Sequence, residues 1–110
     1  MAYEIIISPE AGEDILSLSA FDRARVRDAL EVQLRHEPSK VSKSRIKRLR
    51  GMIRPQFRLR VDELRIFFDV ADNRVDIIAV VPKSQTDAWR AEHGIPDQDE
   101  EMSHEDDSTD

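Results

Sequence analysis

The sequence predicts an α+β domain in which two N-terminal helices pack on an antiparallel, twisted β-sheet and a short helix follows the sheet. Three observations point to this fold class. Two segments near the start of the chain carry apolar residues at helical spacing, residues 57–68 alternate like a β-hairpin, and residues 75–81 form a nearly continuous apolar run.

The first predicted elements are a strand and a helix. Residues 3–7 are rich in isoleucine, which favours a strand. Ser8 and Pro9 follow, and these residue types are preferred at the N-cap and at the first helical position. We therefore expect a short helix from Pro9 to about residue 18.

A second helix is predicted to begin after Asp22 as its N-cap. Phe21 and Val26 have the spacing of a hydrophobic staple around that cap. Apolar residues then recur at helical spacing as far as Leu34. The residue before Pro38 avoids helical backbone angles, so this helix should end just before that proline.

The hairpin predicted over residues 57–68 places like charges side by side. With a two-residue turn at 62–63, Arg60 lies opposite Arg65 and Arg58 lies opposite Phe67. Like charges directly across a ladder are destabilising, which favours a functional cationic surface. The alternative interpretation is a solvated outer face on which arginine stems cover apolar surface.

The remaining elements flank this hairpin. A short strand or extended segment is predicted over 46–52. The apolar run 75–81 should be an internal strand covered on both faces. A final short helix is then expected, with Ser84 as its cap and Gly94 at its end.

Charge divides the chain into a basic middle and an acidic end. Residues 40–65 contain ten Lys or Arg against two acids, whereas residues 95–110 contain eight acids and no Lys or Arg. We expect one domain over residues 1–94 and an acidic, disordered tail over residues 95–110. A basic patch of this density attracts phosphate backbones.

Composition excludes several classes of site. The chain has no cysteine, only three scattered histidines and only three glycines. No metal centre, thiol chemistry, Ser-His-Asp set or phosphate-binding glycine loop is therefore predicted, and no cofactor is expected. No apolar run approaches a membrane span and no signal peptide is recognised, so a cytoplasmic protein without membrane contact is expected.

The cations suggest RNA as a ligand. Arginine forks match phosphate oxygens, and RNA can be cut without metal when its own 2′-OH attacks the adjacent phosphate. Lys83 is the candidate acid or base of this set, although a solvated lysine is the simpler interpretation. Trp89 could stack on a base, and a role in the core or in partner binding is equally compatible with its position.

A family resemblance rests on three segments. They are Lys47–Met52, the hairpin Phe57–Phe68, and the apolar strand to Val81 before a short helix. Over residues 2–92 the chain resembles the RelE/ParE superfamily of bacterial type II toxins, and it is closer to RelE. The resemblance implies the RelE-like, microbial-RNase type of α+β fold.

The resemblance also implies an activity and partners. RelE-like toxins are ribosome-dependent endoribonucleases that cut mRNA, and a cognate antitoxin holds them, in some cases in higher-order complexes. By resemblance Arg65 would stabilise charge at the scissile phosphate, while Lys83 and Trp89 stand where RelE has an arginine and a tyrosine. The expected catalytic residues are Arg60, Arg65, Lys83 and Trp89, and the expected RNA-binding residues are Lys47, Arg48, Arg50, Arg58 and Arg60.

Two other functions stay open at this point. A ParE-type toxin would bind DNA gyrase without being an enzyme, and a degenerate relative would only bind RNA or a partner. Asp62 stands where the family often has glycine, and Trp89 lacks the hydroxyl of tyrosine. Both departures keep phosphate binding and stacking but weaken the case for proton transfer.

Overall fold

Seven strands and three helices make up the part of the chain that the computed structural model describes, residues 2–42 and 44–97. A turn of π-helix, Leu30–Leu34, extends α2 without a break. In chain order the elements are β1 (Glu4–Ile7), α1 (Pro9–Leu16), α2 (Ala20–Ala29), β2 (Ile46–Arg48), β3 (Met52–Arg54), β4 (Phe57–Val61), β5 (Leu64–Ala71), β6 (Arg74–Pro82), α3 (Thr86–His93) and β7 (Ile95–Pro96).

The main sheet has five strands in the order β1-β6-β5-β4-β2. Strands β4, β5 and β6 form the predicted antiparallel meander, and β2 pairs antiparallel with β4. Strand β1 lies parallel to β6, so the sheet is mixed rather than wholly antiparallel. The predicted α+β class, with helices α1 and α2 packed on the sheet and α3 after it, is confirmed.

Apolar side chains cover both faces of the sheet. Val26, Leu30 and Leu34 from the helical layer pack with Leu59, Ile66, Phe68 and Ile77 on one face. Leu49, Phe67, Ile78, Ala79 and Val81 form a second cluster, against which Met52 and Trp89 pack. Strand β6 contributes to both clusters, which confirms its predicted internal position.

The two N-terminal helices begin at serine caps. Ser8 caps α1 as predicted, since its Oγ accepts a hydrogen bond from the Ala11 amide at 3.0 Å. Helix α2 begins earlier than predicted, because Ser19 is its N-cap and accepts from the Asp22 amide at 3.1 Å. The predicted Asp22 cap and hydrophobic staple are therefore wrong, and the side chain of Phe21 is 67% exposed.

Helix α3 begins without the predicted serine cap. A 3₁₀ turn, Lys83–Gln85, precedes it, and the Thr86 hydroxyl donates a hydrogen bond to the Lys83 carbonyl at 3.1 Å. The prediction for Ser84 was wrong because this turn shifts the helix start beyond it. Gly94 ends the helix as predicted, and a Cβ there would lie 2.7 Å from the Arg90 carbonyl oxygen.

A second, two-stranded sheet joins β3 to β7. Met52 pairs with Pro96, and the Asp97 amide donates to the Gly51 carbonyl at 2.8 Å. Gly51 turns the chain with a φ of +74°, a conformation that glycine adopts without strain. The prediction of disorder thus fails for residues 95–97, whereas the rest of the predicted acidic tail, 98–110, lies outside the described residues.

Candidate functional site

The hairpin β4–β5 has the predicted register. Arg60 pairs with Arg65 and Arg58 pairs with Phe67 across the ladder. Asp62, the first residue of the two-residue turn, has a φ of +53°, a value that Asp adopts more readily than most residues. The end of β6 joins this turn, because the Lys83 amide donates to the Glu63 carbonyl at 2.7 Å. Arg60, Arg65 and Lys83 therefore lie at the same end of the sheet.

Arg65 is buried rather than displayed on the surface. Its residue is 3% exposed, and its Nη1 donates to the carbonyl oxygens of Asp62 and Leu64, each at 2.9 Å. Its Nε finds no hydrogen-bond partner within residues 2–42 and 44–97. Arg65 is thus a fixed cation beneath the surface, held by carbonyl dipoles of the hairpin turn.

Arg58 is also buried, with 7% of its residue exposed. Its cross-strand neighbour Phe67 belongs to the second apolar cluster, which covers this face of the sheet. The expectation that Arg58 and Arg65 present their guanidinium groups openly to phosphate, and the alternative of a solvated face, both differ from what the structure shows. The second apolar cluster, against which Trp89 and Met52 pack, lies on this same face of the sheet.

Arg60 is exposed and lines a cleft of about 390 Å³ between α2 and the C-terminal end of β4. Arg25 and Arg45 line the same cleft, and Arg25 forms an ion pair with Asp62 at 2.7 Å. The sequence pattern did not identify Arg25 and Arg45 as neighbours of Arg60. No local pattern could reveal them, because they come from a helix and a loop that only the fold brings to this strand.

Lys83 is exposed on the other side of the hairpin turn. It lines a cleft of about 420 Å³ together with Glu63, Ser84 and Asp87. Arg60 and Lys83 therefore open onto different clefts on the two sides of the turn. Two carboxylates share the cleft of Lys83, so this cleft places proton acceptors beside a cation.

Trp89 contributes to packing. Its ring lies parallel to that of Phe67, with centroids 4.6 Å apart and an angle of 6° between the planes. The imidazole of His93 lies 5.5 Å from the indole and is tilted by 35°. One face of the indole is thus occupied by Phe67 and is closed to a stacked base.

The other predicted RNA-binding residues do not share one face. Lys47 pairs with Arg58, whereas Arg48 pairs with Phe57 on the helix-covered face. The Arg48 guanidinium donates to the carbonyls of Leu49 and Gln56 at 3.0 and 2.8 Å, and it lies 5.4 Å from the Phe57 ring centroid. Arg48 therefore ties the start of β4 to β2, while Arg50 is exposed in the turn that follows.

A carboxylate with a raised pKa lies at the opposite end of the hairpin. The Asp69 Oδ1 accepts a hydrogen bond from the backbone amide of Gln56 at 2.6 Å. Burial raises the pKa of the Asp69 carboxyl above its usual value of 3.8, although this hydrogen bond and the charge of Arg54 oppose the shift. Because Gln56 Oε1 in turn accepts from the Val70 amide at 3.0 Å, this pair fixes the strand ends rather than the cationic end of the sheet.

The two described ranges, residues 2–42 and 44–97, contain no group of three His, Cys, Asp or Glu residues that could hold a metal ion. None of their helices is long and apolar enough to cross a bilayer.

The architecture defines a class of fold, that of RelE-type toxins. The toxin–antitoxin complex RelBE2 from Mycobacterium tuberculosis is similar with a TM-score of 0.59 and 24% identity, over 74% of this chain and 99% of that one. The archaeal RelE–RelB complex from Pyrococcus horikoshii OT3 also gives a TM-score of 0.59 and 24% identity, over 77% of this chain and 99% of that one.

A third solved structure extends this likeness. The YoeB dimer from Staphylococcus aureus matches with a TM-score of 0.56 and 16% identity, over 74% of this chain and 97% of that one. No protein-family model matches the chain, and no curated protein matches it. At these identities the solved structures establish that the chain has the RelE-type fold.

Proposed function

We propose that this chain is the toxin of a type II toxin–antitoxin pair, a RelE-type endoribonuclease that cuts mRNA on the ribosome and so stops translation. The observation that supports the proposal is the arginine pair Arg60–Arg65, which lies across the β4–β5 ladder at the end of the sheet where Lys83 follows β6. Like charges held in register lower stability, so a binding function accounts for their presence.

The cations contribute in two ways, by direct contact with phosphate oxygens and through the electrostatic potential that they create. Arg60 and Lys83 are exposed and can reach phosphate oxygens directly, whereas Arg65 lies 3% exposed between them on the ladder. A fixed charge in a buried, low-dielectric position acts more strongly than the same charge in water. Arg65 therefore raises the positive potential at this end of the sheet, and Arg60 makes the contact.

The proposed reaction needs no metal. The RNA 2′-oxygen attacks the adjacent phosphorus, the 5′-oxygen leaves with a proton, and the product carries a 2′,3′-cyclic phosphate. Cations stabilise the charge on the pentacoordinate phosphorane. Arginine stays protonated at neutral pH, so proton transfer falls to Lys83 and to its neighbours in the cleft, Glu63 and Asp87.

The proposal includes an antitoxin as partner. Two of the solved structures with this fold are complexes of a toxin with its antitoxin. Large apolar side chains of this chain lie exposed on the helical layer, namely Leu16, Phe21 and Val32. An antitoxin segment that covers them and the cationic end of the sheet would hold the toxin inactive, in a binary or a larger complex.

Ribosomes programmed with a 5′-labelled mRNA test the activity. Purified protein should produce cuts in codon register that end in cyclic phosphate. An Arg60→Gln/Lys83→Gln variant should lose them, and Arg74→Gln, at the far end of β6, should retain them. Intact mRNA together with inhibition of DNA supercoiling by gyrase would replace the proposal with the ParE-type function. Intact mRNA with RNA binding alone would replace it with a binding-only relative.

A further inference from the structure

Three arginines from distant segments meet in the cleft between α2 and the end of β4, here called the α2–β4 cleft. Arg25 lies on α2, Arg45 precedes β2 and Arg60 lies on β4. The Arg60 amide donates a hydrogen bond to the Arg45 carbonyl at 2.8 Å. The Ser42 hydroxyl accepts from the backbone amides of Arg45 and Ile46 at 3.0 and 3.2 Å. The loop before β2 is thus held against β4, which fixes the backbone of Arg45 next to that of Arg60.

The three arginines differ in their partners. Arg25 forms an ion pair with Asp62 at 2.7 Å. Neither Arg45 nor Arg60 forms an ion pair within residues 2–42 and 44–97. Arg65 lies opposite Arg60 on the ladder and adds a buried positive charge there. Because a guanidinium group matches the oxygens of a phosphate, Arg45 and Arg60 can bind one together.

The helical wall of the α2–β4 cleft has a different chemistry. Asp28, Val32 and Gln33 line it from α2 and from the π-helical turn that extends this helix. Val32 is 64% exposed, and an apolar side chain can pack against the flat face of a base. A carboxylate accepts a hydrogen bond from the amino group of cytosine, and an amide both donates and accepts. The Asp28 carboxylate also repels an acidic peptide, so this wall favours a nucleotide.

We propose that the α2–β4 cleft binds one nucleotide of single-stranded RNA, with a phosphate on Arg45 and Arg60 and the base against Val32. The volume of about 390 Å³ lies within the range of small-ligand sites. Lys83 opens onto the other side of the hairpin turn, so an RNA strand that crosses the turn would contact both clefts. The proposal takes its substrate class from the proposed function, whereas binding in the cleft requires no cleavage.

Two full-length variants test the cationic side of the cleft. Arg45→Gln removes a guanidinium group that lines the cleft, and Arg27→Gln on α2 is the matched control. Both arginines are exposed, and neither forms an ion pair within the two described ranges of the chain. Arg45→Gln keeps the backbone hydrogen bonds that join this loop to β4, so both variants should fold like the wild type.

The first measurement is the affinity for a labelled single-stranded 12-nucleotide RNA. At 100 mM salt Arg45→Gln should bind about fivefold more weakly than Arg27→Gln, because one phosphate contact is lost. The slope of log affinity against log salt concentration should be smaller in Arg45→Gln by about 0.7, the value for one phosphate of a single strand. Equal affinities and equal slopes would overturn the proposed phosphate contact.

The second measurement locates the base by NMR of the valine methyl groups. The ring current of a base should shift the methyl signals of Val32 when the RNA is added to the wild-type protein. Inorganic tripolyphosphate, which has no base, should leave these signals in place. Val41, a valine that is 57% exposed and lies outside the cleft, is the control for both ligands. Unshifted Val32 signals in the presence of RNA would overturn the proposed base contact.

The third measurement is mRNA cleavage on programmed ribosomes. Arg45→Gln should raise the ribosome concentration that gives half the maximal rate by about fivefold and leave the maximal rate unchanged, because the cleft binds RNA beside the reacting phosphate. A lower maximal rate with unchanged half-saturation would overturn this role. If the wild-type protein cuts no mRNA, the proposed nuclease function fails, and the RNA affinities and the Val32 signals still decide the cleft.

An acidic protein partner is the competing occupant of the cleft. A labelled peptide of twelve glutamates should bind the wild-type protein more weakly than the RNA does, because Asp28 repels it. A peptide that binds as tightly as the RNA, and loses as much affinity in Arg45→Gln, would assign the cleft to such a partner and overturn the proposal.

Discussion

The indole ring of Trp89 lies flat against the phenyl ring of Phe67, 4.6 Å from centroid to centroid. Phe67 belongs to the middle strand β5 and Trp89 to helix α3, so this contact attaches the helix to the second face of the sheet. The face that carries Arg58 and Arg65 is therefore packed as well as charged.

Removal of the indole should destabilise the fold. Trp89→Ala deletes a half-buried aromatic contact, and we expect the free energy of unfolding to fall by about 2 kcal/mol. Trp89→Phe should restore most of it because a phenyl ring can still stack on Phe67. Urea unfolding followed by circular dichroism measures both, with Leu16→Ala, at a residue that is 74% exposed, as the neutral control. Equal stability of all three variants would contradict the packing role.

Substitution of Arg65 should lower activity without lowering stability. Arg65→Met removes a buried charge but keeps an unbranched apolar stem, so the melting temperature should stay the same or rise. Ribosome-dependent mRNA cleavage should fall by about 100-fold, because the field at the phosphate is lost. Arg74→Met, at an exposed arginine paired with Asp76 at 3.0 Å, is the matched control. A folded Arg65→Met protein that cleaves at the wild-type rate would exclude this role for Arg65.

The serine caps should differ in their contributions. Ser19→Ala loses the bond to the Asp22 amide and should cost about 1 kcal/mol of unfolding free energy. Ser8→Ala should cost more, since its hydroxyl also donates to the Ile78 carbonyl at 3.1 Å and so joins α1 to β6. Ser84→Ala should change little, because Ser84 caps no helix. Thermal melts of the three variants check this order, and a large loss in Ser84→Ala would refute it.

Asp69 should give stability a specific pH dependence. Burial raises the pKa of the Asp69 carboxyl in the folded state above its usual value of 3.8. Between pH 3.8 and this raised pKa, the folded protein holds more protons than the unfolded chain. This group therefore contributes a loss of stability as pH rises through that window. Asp69→Asn, which keeps an acceptor for the backbone amide of Gln56, should gain stability relative to wild type as pH rises above the usual pKa of 3.8. Urea titrations across this range measure the gain, with Asp28→Asn as the control, and a constant difference would contradict it.

Local patterns predicted the elements that depend on neighbouring residues. The two-residue period of 57–68 determined the hairpin register, and one serine followed by proline determined the start of α1. The start of α2 was ambiguous, because Ser19 and Asp22 are both good caps and the choice depends on how α1 ends. The 3₁₀ turn before α3 has no sequence signature of its own.

Tertiary contacts account for what the sequence could not predict. The burial of Arg58 and Arg65 depends on tertiary packing around the hairpin, which the hairpin sequence alone does not specify. The cleft that joins Arg60 to Arg25 and Arg45 combines three distant segments. The pairing of β3 with β7 involves too few residues for any periodic signal, so residues 95–97 resembled the acidic tail that follows.

Helix α3 is clamped at both ends, by the bond between Lys83 and Glu63 before it and by β7 on β3 after it. We expect such a helix to fray less from its ends, so that its amide protons exchange with solvent mainly when residues 83–97 open together. A partner strand that displaced β7 from β3 would release one clamp and turn that rare cooperative opening into a frequent one. The short pairing of β7 with β3 would thereby determine how long the ring contact between Phe67 and Trp89 persists.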